Sequence, residues 1–185
     1  IALENCIRFT KAAAKTGIGI SIAEPMASCT VISPSYFREF AKPYIKRFVD
    51  YIKFLQPAVS IHICGNTEPI LEDIVEIGID AFSIDNVVNL EKCVNRVGDQ
   101  MKIIGNIDPS GIMYAGSREQ VRRATIKCVQ QGYKAEKGYV IMSGCGLPVE
   151  TPLENIEAMM DTAREIGYPV SEEKLEELLS FRKYD

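Results

Sequence analysis

One histidine and two cysteines form the pattern in this sequence that is best suited to chemistry. His62 and Cys64 stand two positions apart in an apolar run, and Cys145 follows 81 positions after Cys64. On a strand, residues two apart project to the same side. One imidazole and two thiolates are a typical zinc ligand set, and three protein ligands leave a fourth position open, as in catalytic sites. The alternative is that all three are core residues, with the cysteines packing as small hydrophobes.

Three acidic residues also follow apolar runs and are candidate catalytic groups. Glu24 could accept a proton or bind a cationic substrate group, or it could form a salt bridge at a strand end. Asp85 and Asp108 could each supply a fourth zinc ligand or orient His62, because a metal-bound histidine usually donates its other N–H to a partner. The alternative for both aspartates is capping of a helix or hydrogen bonding within a loop.

Two asparagines are candidates for binding a cofactor or substrate. Asn66 and Asn106 each stand just after an apolar run, and their alternative role is to cap helices. The remaining cysteines carry less information. We expect three of them, at helical apolar positions, to be core residues, whereas Cys29 lies in a loop without an assigned role; the three are Cys6, Cys93 and Cys128.

Short apolar runs alternate with segments of helical periodicity along the whole chain. Strands are predicted at residues 17–23, 59–63, 81–84, 101–104 and 138–142. A long helix should begin at Ser33-Pro34 and bury Phe37, Phe40, Ala41, Tyr44 and Phe48. Later helices should begin at capping boxes formed by Ser117 with Gln120 and by Thr151 with Glu154, and a last helix should begin at Ser171.

Alternating strands and helices predict a parallel sheet, and the continuous apolar strands predict that both of its faces are covered. The candidates are an open doubly wound sheet and a (β/α)8 barrel. No G-x-G-x-x-G follows a strand, which weakens the first. Polar residues at the carboxyl ends of five strands are typical of the active face of a barrel. Five strands cannot close an eight-stranded barrel, so we expect residues 1–185 to be the C-terminal part of a single barrel domain.

Composition excludes several classes of protein. The 185 residues are 46% hydrophobic and 25% charged, which is typical of a soluble globular protein and not of a disordered tail or fibre. The net charge of −4 includes no basic block, so neither nucleic acid nor a membrane surface is an expected partner. No apolar run is long enough to span a membrane. Six scattered cysteines do not form a small disulfide framework, which favours a reducing cytoplasm.

Five motifs resemble the uroporphyrinogen decarboxylase superfamily. More narrowly, they look like its zinc-dependent corrinoid methyltransferase branch, which includes methylcobalamin:coenzyme M methyltransferases. The His-x-Cys…Cys pattern is the specific part of this resemblance. The motifs are Glu24–Pro34 (EPMASCTVISP), His62–Asn66 (HICGN), Gly105–Pro109 (GNIDP), Ser143–Pro148 (SGCGLP) and Thr151–Ile156 (TPLENI).

The resemblance implies a fold, a cofactor and a reaction. The fold is a (β/α)8 TIM barrel, of which this chain supplies about the last five β/α units. His62, Cys64 and Cys145 map onto the zinc ligands of the methyltransferase branch, in which zinc binds a substrate thiol. The implied enzyme moves a methyl group from methylcobalamin, or from a corrinoid protein, to a small thiol such as coenzyme M or homocysteine.

Two alternatives stay open at this point. One is a tetrapyrrole decarboxylase, although the decarboxylases proper lack the histidine and cysteine triad. The other is a non-catalytic module that binds a corrinoid.

Overall fold

Five parallel strands, paired in chain order, form the sheet. The computed structural model describes residues 1–181 and 183–184. Each strand pairs with the next along the chain, so β1 and β5 are the two edges. The five predicted strands are confirmed, although each except β3 is shorter than predicted. Their bounds are β1 Ser21–Ala23, β2 Ser60–Ile63, β3 Ala81–Ile84, β4 Lys102–Ile104 and β5 Tyr139–Val140.

Helices connect these strands, as the parallel arrangement requires. The α-helices are α1 Ala2–Ala14, α2 Pro34–Tyr36, α3 Lys42–Leu55, α4 Leu71–Ile77, α5 Leu90–Val97, α6 Arg118–Gly132, α7 Leu153–Ile166 and α8 Glu172–Ser180. Short 3-10 turns lie at Pro25–Ala27 and Glu68–Ile70, and π-helical turns lie at Phe37–Ala41 and Pro109–Tyr114. Helix α1 lies outside the elements that the sequence pattern predicts. Among the described residues, no helix is both long enough and apolar enough to cross a lipid bilayer.

The starts of the helices test the capping predictions. Ser33 and Ser171 each accept a hydrogen bond from the backbone N–H three residues later, so both predicted helix starts are confirmed. The capping box of Ser117 and Gln120 is present with both reciprocal bonds. The box predicted at Thr151 is wrong, because its hydroxyl instead donates to the Pro148 carbonyl at 2.7 Å.

The core face of the long helix over residues 34–55 differs from the prediction. Phe37 is buried as expected, but Phe40 and Tyr44 are 61% and 53% exposed. The π-helical turn between α2 and α3 accounts for the difference. A π turn holds more residues than an α turn, so the positions that follow it move around the helix axis. The buried residues beyond it are Ile45, Val49 and Ile52.

The two faces of the sheet have different surroundings. One face packs against the helices and carries the core residues Ile22, Ile61, Ile63, Phe82, Ile84 and Ile103. The opposite face carries a register row of Ala23, His62, Ser83 and Ile104. The expectation that both faces are covered is wrong for the described residues, because Ser21 and Ala23 are exposed. The five strands form part of a barrel, and the interior face of a barrel is covered only when all its strands are present.

Candidate metal centre

Three side chains converge at the carboxyl end of the sheet. His62 lies on β2, and Cys64 and Cys145 lie in the loops after β2 and β5. The distance from His62 Nε2 to Cys64 Sγ is 3.2 Å, and the two sulfur atoms are 3.7 Å apart. The three ligand atoms all lie within 4.8 Å of one another, and no carboxylate of the described residues joins them. The structure thus brings together the three residues that the sequence singled out.

The spacing of these atoms suits zinc. Zinc–sulfur bonds of about 2.3 Å at a tetrahedral angle place two thiolates about 3.8 Å apart. The 3.7 Å between Cys64 Sγ and Cys145 Sγ matches this separation. Nitrogen and thiolate donors together favour zinc over the oxygen-preferring magnesium and calcium ions. The donor set and the separation of the two sulfur atoms therefore fit zinc, whereas its binding stays a prediction.

Ser83 on β3 holds the imidazole of His62. His62 Nδ1 lies 3.1 Å from the Ser83 carbonyl oxygen and 3.0 Å from its hydroxyl. A carbonyl can only accept, so this contact favours a proton on Nδ1 and leaves the Nε2 lone pair facing the sulfur atoms. Sequence reasoning missed Ser83 and gave the orienting role to an aspartate. The sequence held no signal for this role, because Ser83 lies beside His62 only through the strand register.

The surroundings of Cys64 keep its thiol protonated when no cation is near. Burial raises the pKa of Cys64, and the neighbouring Cys145 thiol and the Asp85 carboxylate raise that pKa further. A metal ion reverses this balance, because a coordinating thiol loses its proton.

A hollow of about 360 Å3 opens beside the cluster on the face of the sheet away from the helices. Its lining includes His62, Cys145 and four serines. Among the described residues, no lysine, arginine, aspartate or glutamate lines it. The hollow is therefore uncharged on this side, and more of its lining surface is apolar than polar. The remaining lining residues are Ser21, Ser60, Ser83, Ile104, Met142, Ser143 and Gly146.

Both candidate aspartates accept backbone N–H groups. Asp85 is buried, and its two oxygens accept from Gly65 N at 2.8 Å and from Val87 N at 3.1 Å. Asp108 accepts from the backbone nitrogens of residues 110 and 111, both at 2.9 Å, and so caps the turn at Pro109–Tyr114. The loop and capping roles weighed for these residues are thus observed. A catalytic role for either one stays a prediction.

Glu24 lies beside the cluster through its backbone only. Its amide donates to the His62 carbonyl at 2.9 Å. Its side chain lines a groove formed by α1, the loop after β1 and the long helix, together with Met26, Phe40 and Tyr44. This groove is separate from the hollow beside His62, so the structure does not bring the Glu24 carboxylate into the hollow.

The two candidate asparagines build loops. Asn66 accepts from Glu68 N at 3.0 Å through its side-chain oxygen and is exposed. Asn106 is buried, and its side-chain nitrogen donates to the Asp85 carbonyl at 2.9 Å and to the Val88 carbonyl at 2.8 Å. Asn106 therefore has both amide protons engaged within the protein. Binding of a cofactor by either asparagine stays a prediction.

The other cysteines lie apart from the centre. Cys93 is buried in the core, and burial raises its pKa to about 12. Cys128 and Cys29 pack against core residues and are partly buried. Cys6 is exposed on α1, so its predicted place in the core is wrong. It lines an open groove between α1, β1 and α3.

Comparison with known proteins identifies the family. A family model described as uroporphyrinogen decarboxylase matches residues 1–166. The chain belongs to the uroporphyrinogen decarboxylase family. A methylcobamide:CoM methyltransferase of Methanosarcina mazei is 32% identical over 163 residues, which is 88% of this chain and 46% of that protein. A uroporphyrinogen decarboxylase of Oryza sativa is 31% identical over 140 residues, which is 75% of this chain and 35% of that protein.

A solved structure supports the same placement of this family member. A methyltransferase from Methanosarcina mazei superposes with a TM-score of 0.78 at 28% identity, over 88% of this chain and 46% of that one. The fold is thus a partial TIM barrel of the uroporphyrinogen decarboxylase type. The chain spans less than half the length of these relatives. Because both methyltransferases and decarboxylases are relatives, membership of the family alone does not select the reaction.

Proposed function

We propose that the protein is a zinc-dependent methyltransferase that moves a methyl group from a methyl-corrinoid to a small thiol such as coenzyme M or homocysteine. The observation that carries this proposal is the convergence of His62, Cys64 and Cys145. The similarity to methyltransferases whose names specify methylcobamide and CoM supports it. In this proposal residues 1–185 are the C-terminal part of one barrel domain, and the methyl donor is methylcobalamin or a corrinoid protein.

The proposed roles follow from the geometry. His62 Nε2 and the sulfur atoms of Cys64 and Cys145 would hold zinc, and Ser83 keeps the imidazole in the required orientation. Three protein ligands leave one position for a substrate. Zinc held by the three residues would stabilise an acceptor thiol in that position as a thiolate near neutral pH. The hollow beside His62 gives that thiol space next to four serines.

The transfer itself balances without a further reactant. The thiol first releases its proton to water, and its sulfur then attacks the methyl carbon of the corrinoid. The new carbon–sulfur bond forms as the cobalt–carbon bond breaks. The electron pair of the broken bond stays on the corrinoid, which leaves as cobalt(I). The cobalt chemistry belongs to the corrinoid, so the protein contributes position and thiolate stabilisation.

A tetrapyrrole decarboxylase is the second candidate, because relatives with that name are nearly as similar. The histidine and cysteine cluster has no role in this alternative, and this observation favours the methyltransferase. A non-catalytic corrinoid-binding module, the third candidate, likewise leaves the cluster without a role.

Elemental analysis of the intact protein tests the proposal first. We expect about one zinc per chain in protein prepared without chelators and with its thiols reduced, since the three ligands form one site. Cys64→Ser should lose that zinc, and Cys145→Ala should lose both zinc and methylation of thiols by methylcobalamin. Cys6→Ser is the matched control, because its thiol is exposed and remote from the cluster in sequence. A zinc-free parent, or full activity in Cys145→Ala, would refute the methyltransferase.

A further inference from the structure

The loop after β3 contacts the segment that carries Cys64. The peptide nitrogen of Gly65, which follows Cys64 directly, donates to Asp85 Oδ2 at 2.8 Å. Strand β2 ends at Ile63, so the sheet ladder does not supply this acceptor. The other oxygen, Asp85 Oδ1, accepts from Val87 N at 3.1 Å. One buried carboxylate thus joins the loops that follow two neighbouring strands.

The turn at Gly65 has little freedom to take another shape. Gly65 has a φ of +72°, in the left-handed region that disfavours side chains. A Cβ at this position would lie 2.5 Å from Thr30 Oγ1 and 2.6 Å from Ser28 Oγ. The peptide is therefore enclosed by the loop after β1 on one side and held by Asp85 through its N–H. Its orientation sets the direction in which the Cys64 side chain leaves the backbone.

Asn106 holds the loop of Asp85 in turn. Its amide donates to the carbonyls of Asp85 and Val88, at 2.9 and 2.8 Å. Asp85 and Asn106 are both 8% exposed, so water competes little for these bonds. The loops after β2, β3 and β4 are thereby linked by a short chain of buried hydrogen bonds.

We propose that Asp85 is a positioning residue that holds the Cys64–Gly65 peptide, and so presets the Cys64 sulfur for the metal, without being a metal ligand itself. Each Asp85 oxygen already accepts a backbone N–H, and its carboxylate lies outside the three-residue cluster. This inference rests on the proposed function, because it needs a metal bound by Cys64.

Asp108 provides a matched comparison. It also follows a strand and accepts two backbone N–H groups, but these belong to its own turn at residues 110 and 111. That turn carries none of the three proposed ligands. Removing the Asp108 carboxylate should therefore lower local stability but leave the Cys64 sulfur in place. Removing the Asp85 carboxylate should lower local stability and also displace the Cys64 sulfur.

The test is zinc affinity, measured on the intact protein by competition with a chromophoric chelator. Removal of a group that orients a ligand typically weakens metal affinity by about 10- to 100-fold, which is the loss expected for Asp85→Ala. Asp108→Ala should keep the affinity of the parent. Asp85→Asn retains one side-chain oxygen for Gly65 N and should recover part of the loss. With cobalt(II) at saturation, Asp85→Ala should keep the thiolate charge-transfer absorption of the parent, since both cysteines still bind.

The possible outcomes separate this inference from the function on which it rests. Equal zinc affinity in Asp85→Ala and the parent would overturn the positioning role and leave the function intact. Asp85→Asn as weak as Asp85→Ala would assign the carboxylate a direct charge or ligand role instead, and would also overturn it. If Asp85→Ala does not fold, the zinc affinity of Asp85→Asn is compared with that of Asp108→Asn. Equal affinities of these two variants would refute the proposal. If the parent protein binds no zinc, the proposed function itself is refuted.

Discussion

The two faces of the sheet have different roles. One face contributes to the core, and the other carries the candidate metal ligand His62. On the face toward the helices, Ile61 and Phe82 sit side by side in register and are buried. On the opposite face, one position away along the same strands, His62 and Ser83 are also in register and are joined by a hydrogen bond. Because side chains alternate along a strand, a few residues can serve both purposes. The candidate metal centre thus lies on strands whose other face forms part of the core.

The largest expected effect tests whether stability resides in the covered face. Ile61→Ala should lower the free energy of unfolding by about 2–5 kcal/mol, because it removes buried methyl groups from a packed core. Ser60→Ala, at the next position on β2, should change it by no more than about 0.5 kcal/mol. Urea denaturation of both variants measures the difference. Similar losses in the two variants would contradict the division of the faces.

Substitution of Gly65, just after β2, tests how tightly the segment that carries Cys64 packs against the loop after β1. Gly65→Ala should lose about 1–2 kcal/mol from its left-handed backbone and about 1–3 kcal/mol more from contact with Thr30. Gly78→Ala is the matched control, since Gly78 has a φ of +86° but nothing within 4 Å of an added Cβ. It should lose only the backbone part. Thermal unfolding measures both, and equal losses would show that the loop after β1 yields to the added methyl group.

Zinc should raise the free energy of unfolding only by binding at His62, Cys64 and Cys145. At a free concentration a hundred times its dissociation constant, a bound ligand stabilises the folded state by about 2.7 kcal/mol. We expect this shift in urea denaturation of the intact parent and of Cys6→Ser. Cys64→Ser should show none of it. A zinc-dependent shift of the same size in Cys64→Ser would place the metal somewhere other than at the three side chains.

The smallest effect concerns the second contact of His62. Ser83→Ala removes the hydroxyl that lies 3.0 Å from Nδ1 but keeps the backbone carbonyl at 3.1 Å. Loss of one such partner should weaken zinc binding by about tenfold. Ser60→Ala has no contact with the imidazole and should leave zinc affinity unchanged. Chelator competition compares the two, and an unchanged Ser83→Ala would mean that the carbonyl alone orients His62.

The sequence predicted the strands from local patterns, and it predicted the convergence of His62, Cys64 and Cys145 from the parallel arrangement of those strands. Five apolar runs mark the strands, and side chains at the ends of parallel strands meet at one edge. The core face of the long helix was not predictable in this way. A π-helical turn at Phe37–Ala41 changes the angular step of the helix, and helical periodicity alone does not reveal it. Only Ile45 and the positions beyond show the shifted face.

The roles of the polar residues depend on contacts between segments, which no local pattern contains. Asp85 and Asp108 are alike in sequence, each at the end of an apolar run, yet one accepts from Gly65 and the other from its own turn. Ser83 is unremarkable in sequence, and its contact with His62 follows only from the register between β2 and β3.

The separation of the proposed ligands along the chain affects the conformational entropy of the protein. Two of them, His62 and Cys64, belong to one short segment, whereas Cys145 lies 81 positions further on. A metal bound by all three would act as a reversible cross-link that closes this long stretch of chain into a ring. Closure of a ring removes entropy from the unfolded chain by an amount that grows only slowly with its length. The residues around Cys145 should then gain resistance to proteolysis from the metal, beyond that given by the hydrogen bonds of 2.7 and 3.1 Å that join Gly144 and Met142 to Ile107.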